Sequence, residues 1–566
     1  MTAAPGPAGR VGLVLALSLS VPVAAAAVGI AVGLPVTALP LALSTIALGV
    51  WGWRARPLHA AREWWAVALV LAVAVGWATA WLDLSFDGQT YHQTGIRLLI
   101  DGWNPVWDPA RSETVPVHYH VTGLPKGMWL YSALWAKVTG SIETGKAAQL
   151  ISLVAALLLS HDALRALHRT RTESRIGALL LALNPVTLQQ LPTYYLDGVV
   201  ASGTVTLLAM GILAVRTPIR AWRVALVLHA AWLANVKFPG AAIVAEIALA
   251  AIAWSCWRAR TAVRPVVLGV TCAGALALLM GINPYVTNTM RHGHPGYPAA
   301  GPDAEPVAEW AHRDAAFRAM PRPLQVAWSA FAISSDDSYA PPKLKIPFTV
   351  RLSELGTFTT DARIGGWGPL FGGALVVAAL ILALARNAPL AALALLPVAS
   401  ALALPFGFYA RYAPQLWLTA VVPLAARTSP RSLRLALTAV LGLNLVLVDV
   451  PALGAAAMDQ WLHRRQLRDL AADADGQPAL VSQTGAPFGH VDLHLAAYGI
   501  RAVTEHEPSC PLPSVLLRTH ARLCLAGGRN PRPAPDPLTI IRQWLPAGVM
   551  LPSPAPEHAP EPASDR

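Results

Sequence analysis

The chain alternates long apolar runs with short polar loops. Runs near 11–33, 37–53, 64–82, 145–167, 175–190, 195–215, 221–237, 239–257, 265–282, 367–386, 389–406, 410–426 and 432–451 approach the length a helix needs to cross a bilayer, about 20 residues. Hydrocarbon offers backbone N–H and C=O groups no water, so an apolar run in it must satisfy them internally as a helix. The pattern predicts an all-α polytopic membrane protein of about 13 transmembrane helices. The first run is long, lacks a clear cleavage site and is followed by further spans, so it reads as a retained helix. One stretch breaks the pattern. Residues 126–140 (KGMWLYSALWAKVTG) are too short and too polar for a span and predict an amphipathic helix lying on, or partly dipping into, the outer leaflet.

The loops carry a second pattern. Arg54, Arg56 and Arg62 fill one loop, and HRTRTESR (168–175), RTPIRAWR (216–223), WRARTAVR (257–264) and RTSPRSLR (427–434) fill others. All fall on one side of the predicted spans, which the positive-inside rule assigns to the cytoplasm. A multi-pass plasma-membrane protein follows, with its N-terminus inside and its C-terminus outside. Residues 1–63 are two N-terminal helices and a cytoplasmic loop, 64–451 the main transmembrane region, and 83–140 and 283–366 its long outer loops. Beyond the last span, MDQWLHRRQLRDLAADAD predicts an amphipathic helix leaving the membrane. Short apolar pieces such as PALVSQ and LTIIRQWL then predict a small extracytoplasmic α/β domain over 452–550. Residues 551–566, rich in Pro, Glu and Ala, read as a disordered tail.

Composition agrees. Hydrophobic residues make up 55% and charged residues 13% of the chain, where soluble proteins carry about 25% charged residues. The net charge of +12 resides largely in these loops and points to membrane orientation, not to nucleic acid. Of four cysteines, Cys256 and Cys272 lie in or beside apolar spans and read as small core residues. Cys510 and Cys524 lie in the outer tail, where an oxidising environment permits a disulfide.

Candidate chemistry gathers in WLDLSFDGQTYHQTGIRLLIDGWNPVWDP, residues 81–109. Asp87 at the outer end of a span serves either as a general base or as the N-cap of the helix that follows. Tyr91, four residues on, shares its face. His92 and Arg97 follow in the same helix, and Asp101, Trp103, Asn104 and Pro105 close the segment. A second acid, Asp197, ends NPVTLQQLPTYYLDG, where Asn-Pro interrupts a helix and Gln189 and Gln190 follow. Irregular backbone at this depth lines cavities. Asp197 either binds an acceptor or orients Lys237, or it caps the next span. Four outer cations, Lys126, Lys237, Arg291 and Arg411, either hold an anion or snorkel to headgroups. Lys237 and Arg411 fall nearest membrane depth, where a charge without a partner is costly. His118 and His120 lack an evident third ligand and read as hydrogen-bonding or surface groups more than as a metal site. RHGHPGYP (291–298) reads as a rigid turn. Trp103, Trp107, Trp129 and Trp135 fit an interfacial aromatic belt, with stacking on sugar rings as the alternative.

A span, a long outer loop opening with an acid, and many further spans, together with the local FDGQTYH, resemble the GT-C superfamily of membrane glycosyltransferases over roughly 64–450. The resemblance implies a GT-C-like transmembrane catalytic region acting as a hexosyl- or pentosyltransferase. The donor would be a polyprenyl-phosphate sugar and the acceptor an envelope glycan, a lipid or a protein on the outer face. It implies inversion in a single displacement, with Asp87 as base and Tyr91, His92, Arg97, Asp101, Lys126, Asp197, Lys237, Arg291 and Arg411 as substrate-binding residues. Many members carry two adjacent acids; here Gly88 follows Asp87, so Asp83 and Asp101 are the nearest second acids. No cofactor is implied beyond a possible divalent cation. The rival expectations are a transporter or flippase of lipid-linked sugars, which the lack of a visible internal repeat disfavours, and an inactive scaffold subunit.

Overall fold

A computed structural model describes residues 6–54, 60–113, 115, 117–217, 219–258, 260–305, 314–335, 337, 339–357, 359–482, 490–505, 515–516, 519 and 521–526. The chain is mostly helical, and helical segments fall within the expected spans, the one at 175–190 divided between Arg171–Ala182 and Pro185–Gln190. Among the described residues seven helices are long and apolar enough to cross a membrane: Pro7–Ala31, Ala61–Ala80, Ile142–Ala166, Asp197–Arg216, Phe238–Arg258, Arg260–Met280 and Arg431–Ala474. Shorter apolar helices include Leu39–Gly52, Phe371–Ala385, Ala388–Ala403 and Pro414–Ala425. Two compact units result. The first comprises Met1–Trp81 and Gly95–Leu453; the second joins Leu82–Thr94 to the chain from Gly454 onward.

Within the first unit, ion pairs and hydrogen bonds fix which helix ends lie together. Arg10 pairs with Glu63, so helices Pro7–Ala31 and Ala61–Ala80 start at the same end. The Gly9 amide donates to Asp162, near the finish of Ala147–Ala166. Arg169 donates to the Ala425 carbonyl and Arg427 to the His168 carbonyl, so two of the basic loops meet at this end. At the opposite end Asn104 Nδ2 donates to the Ile30 carbonyl (3.0 Å), Lys146 to the Trp81 carbonyl, and Gln149 Nε2 to the Thr193 carbonyl (3.2 Å).

A buried aromatic core supports the loops at that second end. Trp367 and Trp417 both stack on Phe371. Trp367 Nε1 donates to the Ala413 carbonyl (3.1 Å), and Asn184 Nδ2 to the Pro414 carbonyl (2.6 Å). Gly365, at φ 65°, makes a turn where a Cβ would lie 2.9 Å from Ser334 Cα. Only glycine accepts that conformation without strain.

Three expectations are corrected. The amphipathic stretch forms helix Gly127–Thr139, but Met128, Trp129, Leu130, Tyr131, Ala133 and Leu134 are all buried. Its faces pack against the helices around it rather than on a leaflet, because apolar residues occur on every side of the helix. The span expected at 410–426 starts later, at Pro414, and is a short α-helical turn flanked by tighter 3-10 turns. The last span and the amphipathic helix after it are one continuous helix, Arg431–Ala474, with Pro451 inside it.

The second unit has its own core. Strands β1 (Ala479–Ser482), β2 (Ala502–Glu505), β3 (the two-residue Val515–Leu516) and β4 (Arg522–Leu525) form a sheet ordered β2-β1-β4-β3. β1 pairs parallel with β2 and antiparallel with β4. A parallel pair needs a crossover, and helix Val491–Ala496 lies in the β1–β2 connection. Leu467, Leu470, Val481, Leu495 and Leu523 make the core, and Leu82 joins them with Leu84 packed alongside. Segment 82–94 is therefore a built-in part of the C-terminal domain, although some 360 residues separate them in sequence. Cys524 is disulfide-bonded while Cys256 and Cys272 are free. Cys510, LTIIRQWL and the tail 551–566 lie outside the described residues.

Leu495 is fully buried in this shared core. Leu495→Ala is expected to destabilise the second unit by about 2–5 kcal/mol. Deuterium uptake should then rise over 82–94 as well as over the sheet; a rise confined to the sheet would show that the segment has a separate support.

Candidate functional site

The segment carrying Asp87 begins with a cap. Asp83 Oδ1 accepts from the Ser85 amide (2.8 Å), and Ser85 Oγ accepts from the Gly88 amide (3.3 Å). Ser85 is thus the N-cap side chain. Asp87 lies one step inside the helical turn and makes no cap hydrogen bond. The capping role weighed for Asp87 falls to Ser85, two residues earlier. The buried Asp87 carboxylate instead accepts from the Tyr91 hydroxyl at 2.8 Å, as their four-residue spacing leads one to expect. Gly88–His92 forms a wide π-type turn, a form frequent at functional sites. A Cβ on Gly88 would lie 2.0 Å from Asp83 Oδ2. A side chain at position 88 would have to displace the Asp83 carboxylate, which occupies the space beside it.

Histidines of the C-terminal domain complete the cluster. Gln89 Nε2 donates to the Asp83 carbonyl (2.6 Å) and lies 3.2 Å from His494 Nε2. His494 Nδ1 lies 3.1 Å from His463 Nε2. The Gln89 amide nitrogen can only donate, so His494 accepts through Nε2 and donates from Nδ1 to His463. Thr94 Oγ1 meets His490 Nε2 at 2.7 Å, and His92, also buried, packs against the Tyr91 ring at 4.3 Å. Sequence reasoning missed His463, His490 and His494. No local signal marks them, because their link to residues 83–94 exists only in the folded domain.

The first unit holds a second polar cluster, at the helix ends opposite the basic loops. Asp197 is fully buried, opens helix Asp197–Arg216 and makes no cap bond. Its carboxylate pairs with Lys237, lies 3.7 Å from Arg411 Nε and accepts from Gln190 Nε2 (3.3 Å). Gln190 also donates to the Thr360 carbonyl (3.0 Å) and accepts from the Gly198 amide (2.8 Å). Arg411 in turn pairs with Asp361, which also pairs with Arg363 (2.8 Å). The Arg411 guanidinium lies 4.7 Å from the Tyr195 and Tyr412 ring centres, and Lys237 lies 4.8 Å from Tyr412. Such stacking favours a cation that has left water. Burial pushes the Asp361 carboxyl up, but Arg411 and Arg363 beside it outweigh that and hold it below the ordinary carboxylate range. Three cations and two carboxylates leave this cluster one positive charge in excess, an electrostatic invitation to an anion.

The remaining expected residues are dispersed. Arg97 and Asp101 are exposed, as is Arg291 in helix Thr287–His292. Lys126 is buried; its ammonium donates to the Thr122 carbonyl (3.0 Å) and the Leu124 carbonyl and lies 5.0 Å from the Trp129 ring. Burial pulls it well below the ordinary lysine range. His118 and His120 lie in the short helix His118–Gly123. Trp103 and Trp129 are fully buried rather than belt residues, whereas Trp107 is exposed.

Comparison with protein-family models, with characterised proteins and with solved structures returns no match. The two clusters therefore stand on their own geometry.

Gly88→Ala should displace Asp83 and raise deuterium uptake over 83–94, leaving the Asp197 cluster untouched; unchanged exchange would show that the turn tolerates a side chain. Lys237→Met should cost about 3 kcal/mol by removing the nearest of the charges that hold a buried carboxylate. The double variant Lys237→Met/Asp197→Leu should recover most of that loss in thermal melts of the purified protein. Additive losses in the double variant would count against the pairing.

Proposed function

We propose that the chain is a GT-C-type integral membrane glycosyltransferase of the plasma membrane, with about 13 crossings, its N-terminus inside and its C-terminal domain outside. It moves a hexose or pentose from a polyprenyl-phosphate carrier to an envelope glycan, a lipid or a protein. The observation that carries this reading is the state of Asp87. Its carboxylate is buried and hydrogen-bonded to the Tyr91 hydroxyl, while Ser85 performs the capping. A buried acid released from its commonest structural duty at a helix start is a candidate general base.

The chemistry asks for little else. The acceptor hydroxyl oxygen attacks the anomeric carbon as its proton passes to Asp87. The bond from that carbon to the phosphate oxygen breaks, and polyprenyl phosphate leaves with the electron pair. Negative charge grows on the leaving phosphate and calls for a cation to hold it. Within the first unit, Asp197 and Asp361 keep Lys237 and Arg411 in place as an anion-binding cluster. Tyr91 orients the base.

The test is sugar transfer by the full-length protein in lipid, with labelled polyprenyl-phosphate sugars and a crude envelope acceptor. Asp87→Asn keeps the side-chain shape and removes the base. Transfer by wild type should fall on the order of a hundred-fold or more in the variant. Full activity in a folded Asp87→Asn protein would remove Asp87 from the mechanism. Movement of labelled lipid between leaflets without any transfer would favour a transporter.

A further inference from the structure

Away from the two clusters, one stretch of the first unit leaves its apolar side chains uncovered. In KLKIPFTVRL, residues 343–352, apolar residues alternate with basic residues, a proline and a threonine. Leu344, Ile346, Phe348, Val350 and Leu352 are all exposed, Ile346 at 76% and Leu352 at 87%. Lys343 and Arg351, near its two ends, are exposed as well.

The stretch is held in place along its length. The Ile333 amide donates to the Lys343 carbonyl (2.8 Å), and the Lys345 amide to the Phe331 carbonyl (3.1 Å). Trp328 Nε1 donates to the Pro342 carbonyl (2.9 Å). The buried Glu354 carboxylate accepts from the Ser334 and Arg351 amides, both at 3.0 Å, and pairs with Lys345. Phe348 sits at φ 69°, a region that a bulky residue enters only where its surroundings hold it. Its ring lies against helix Phe371–Ala385, where a Cβ on Gly373 would meet Phe348 Cδ1 at 2.5 Å. A backbone fixed at this many points displays the same apolar side chains permanently, and such a patch marks a contact with a partner or a membrane.

The helix it touches says which. Gly373 lies in the first turn of Phe371–Ala385. Thr428 Oγ1, in a basic loop, donates to the Ala385 carbonyl (3.2 Å) at the helix's other end. Phe348 is therefore at the end away from the basic loops. Val376, Leu380 and Leu384 are exposed. They stand three, seven and eleven residues after Gly373, the spacing of one helix face. On a helix this apolar, an exposed stripe of Val and Leu belongs against hydrocarbon. Phe348 sits at the head of that stripe, so residues 343–352 continue the lipid-facing surface to the level where headgroups replace acyl chains. Lys345 is neutralised by Glu354, while Lys343 and Arg351 remain exposed. Apolar side chains flanked by bases suit an anionic interface.

We propose that residues 343–352 form an interfacial strap that docks on the leaflet opposite the basic loops. Ile346, Val350 and Leu352 enter the acyl boundary, and Lys343 and Arg351 meet lipid phosphates. The strap also bears on the cation cluster. Ser334 Oγ donates to the Gly365 carbonyl (2.8 Å), and the Ser335 amide to the Ile364 carbonyl (3.1 Å). The same loop carries Asp361 and Arg363, so the lipid contact sets the level at which the cluster meets the headgroups. The inference needs a bilayer and does not depend on the transfer chemistry.

The experiment places single nitroxide labels on the full-length protein in nanodiscs of phosphatidylcholine, with or without phosphatidylglycerol. The background is Cys256→Ser/Cys272→Ser, which removes the two free cysteines among the described residues. Labels go on Ile346→Cys and Leu352→Cys. Leu380→Cys, on the helix stripe, is the hydrocarbon reference, and Asp303→Cys, at an exposed loop position, is the aqueous one. Collision with oxygen, which concentrates among acyl chains, is compared with collision with a water-soluble nickel chelate. The oxygen-to-nickel ratio at 346 and 352 should lie severalfold above that at 303 and approach that at 380. Phosphatidylglycerol should raise it further, and Lys343→Gln/Arg351→Gln should remove that increment. An unchanged ratio at 380 in the doubly neutralised protein shows that the fold survives. Ratios at 346 and 352 equal to that at 303 would put the strap in water and overturn the proposal. Exclusion of both reagents would mean that protein, including a second copy of the chain, covers it, with the same consequence. A ratio indifferent to phosphatidylglycerol would overturn the role given to the two bases.

Discussion

The buried carboxylate of Asp197 is the contact on which the first unit's polar end depends. A charge at this depth is tolerable only with partners, and it has three: Lys237, Arg411 and Gln190. Those partners come from a helix junction, a non-helical turn and a short Pro-initiated helix. Arg411 adds Asp361 and with it Arg363. One acid therefore ties together four chain segments that the apolar spans alone would leave free to slide. Trp367 and Trp417, stacked on Phe371 beneath them, supply the rigid floor.

The second unit solves a different problem. The thirteen-residue stretch 82–94 holds a carboxylate out of water and pairs it with the hydroxyl of Tyr91. The C-terminal domain does this by absorbing Leu82 into its own core and by a chain of hydrogen bonds from Gln89 through His494 to His463. Asp83 and Ser85 then satisfy the helix start. The arrangement makes the far end of the sequence part of the acidic segment's immediate surroundings. It also accounts for a small domain appended beyond the last span.

The shared feature is that acids are kept in place by neighbours a few residues away while each cluster is completed by residues 40 to 405 positions off. Asp87 has Tyr91 four residues on, and Asp197 has Gln190 seven residues back. The cations and histidines that complete each cluster arrive from elsewhere. Gly88 shows the same economy at a single position: the side chain it lacks is replaced by the Asp83 carboxylate.

The sequence by itself determined that the chain is mostly helical and carries several helices long and apolar enough to cross a membrane, because the length of an apolar run is a local property. It also singled out Asp87, Tyr91, Asp197, Lys237 and Arg411, since a charge or a tyrosine at a span's end stands out against an apolar background. It misplaced the helix cap by two residues, because Asp and Ser are equally good caps and only the φ/ψ of the turn separates them. Composition alone took Gly127–Thr139 for a surface helix, since its few polar residues do not reveal how many neighbours surround it. Tertiary structure alone decided that Lys126 faces two carbonyls and that His463 and His494 stand behind Gln89. Each of these is a meeting of distant segments, and no local pattern of side chains encodes which of many buried partners a polar group will find.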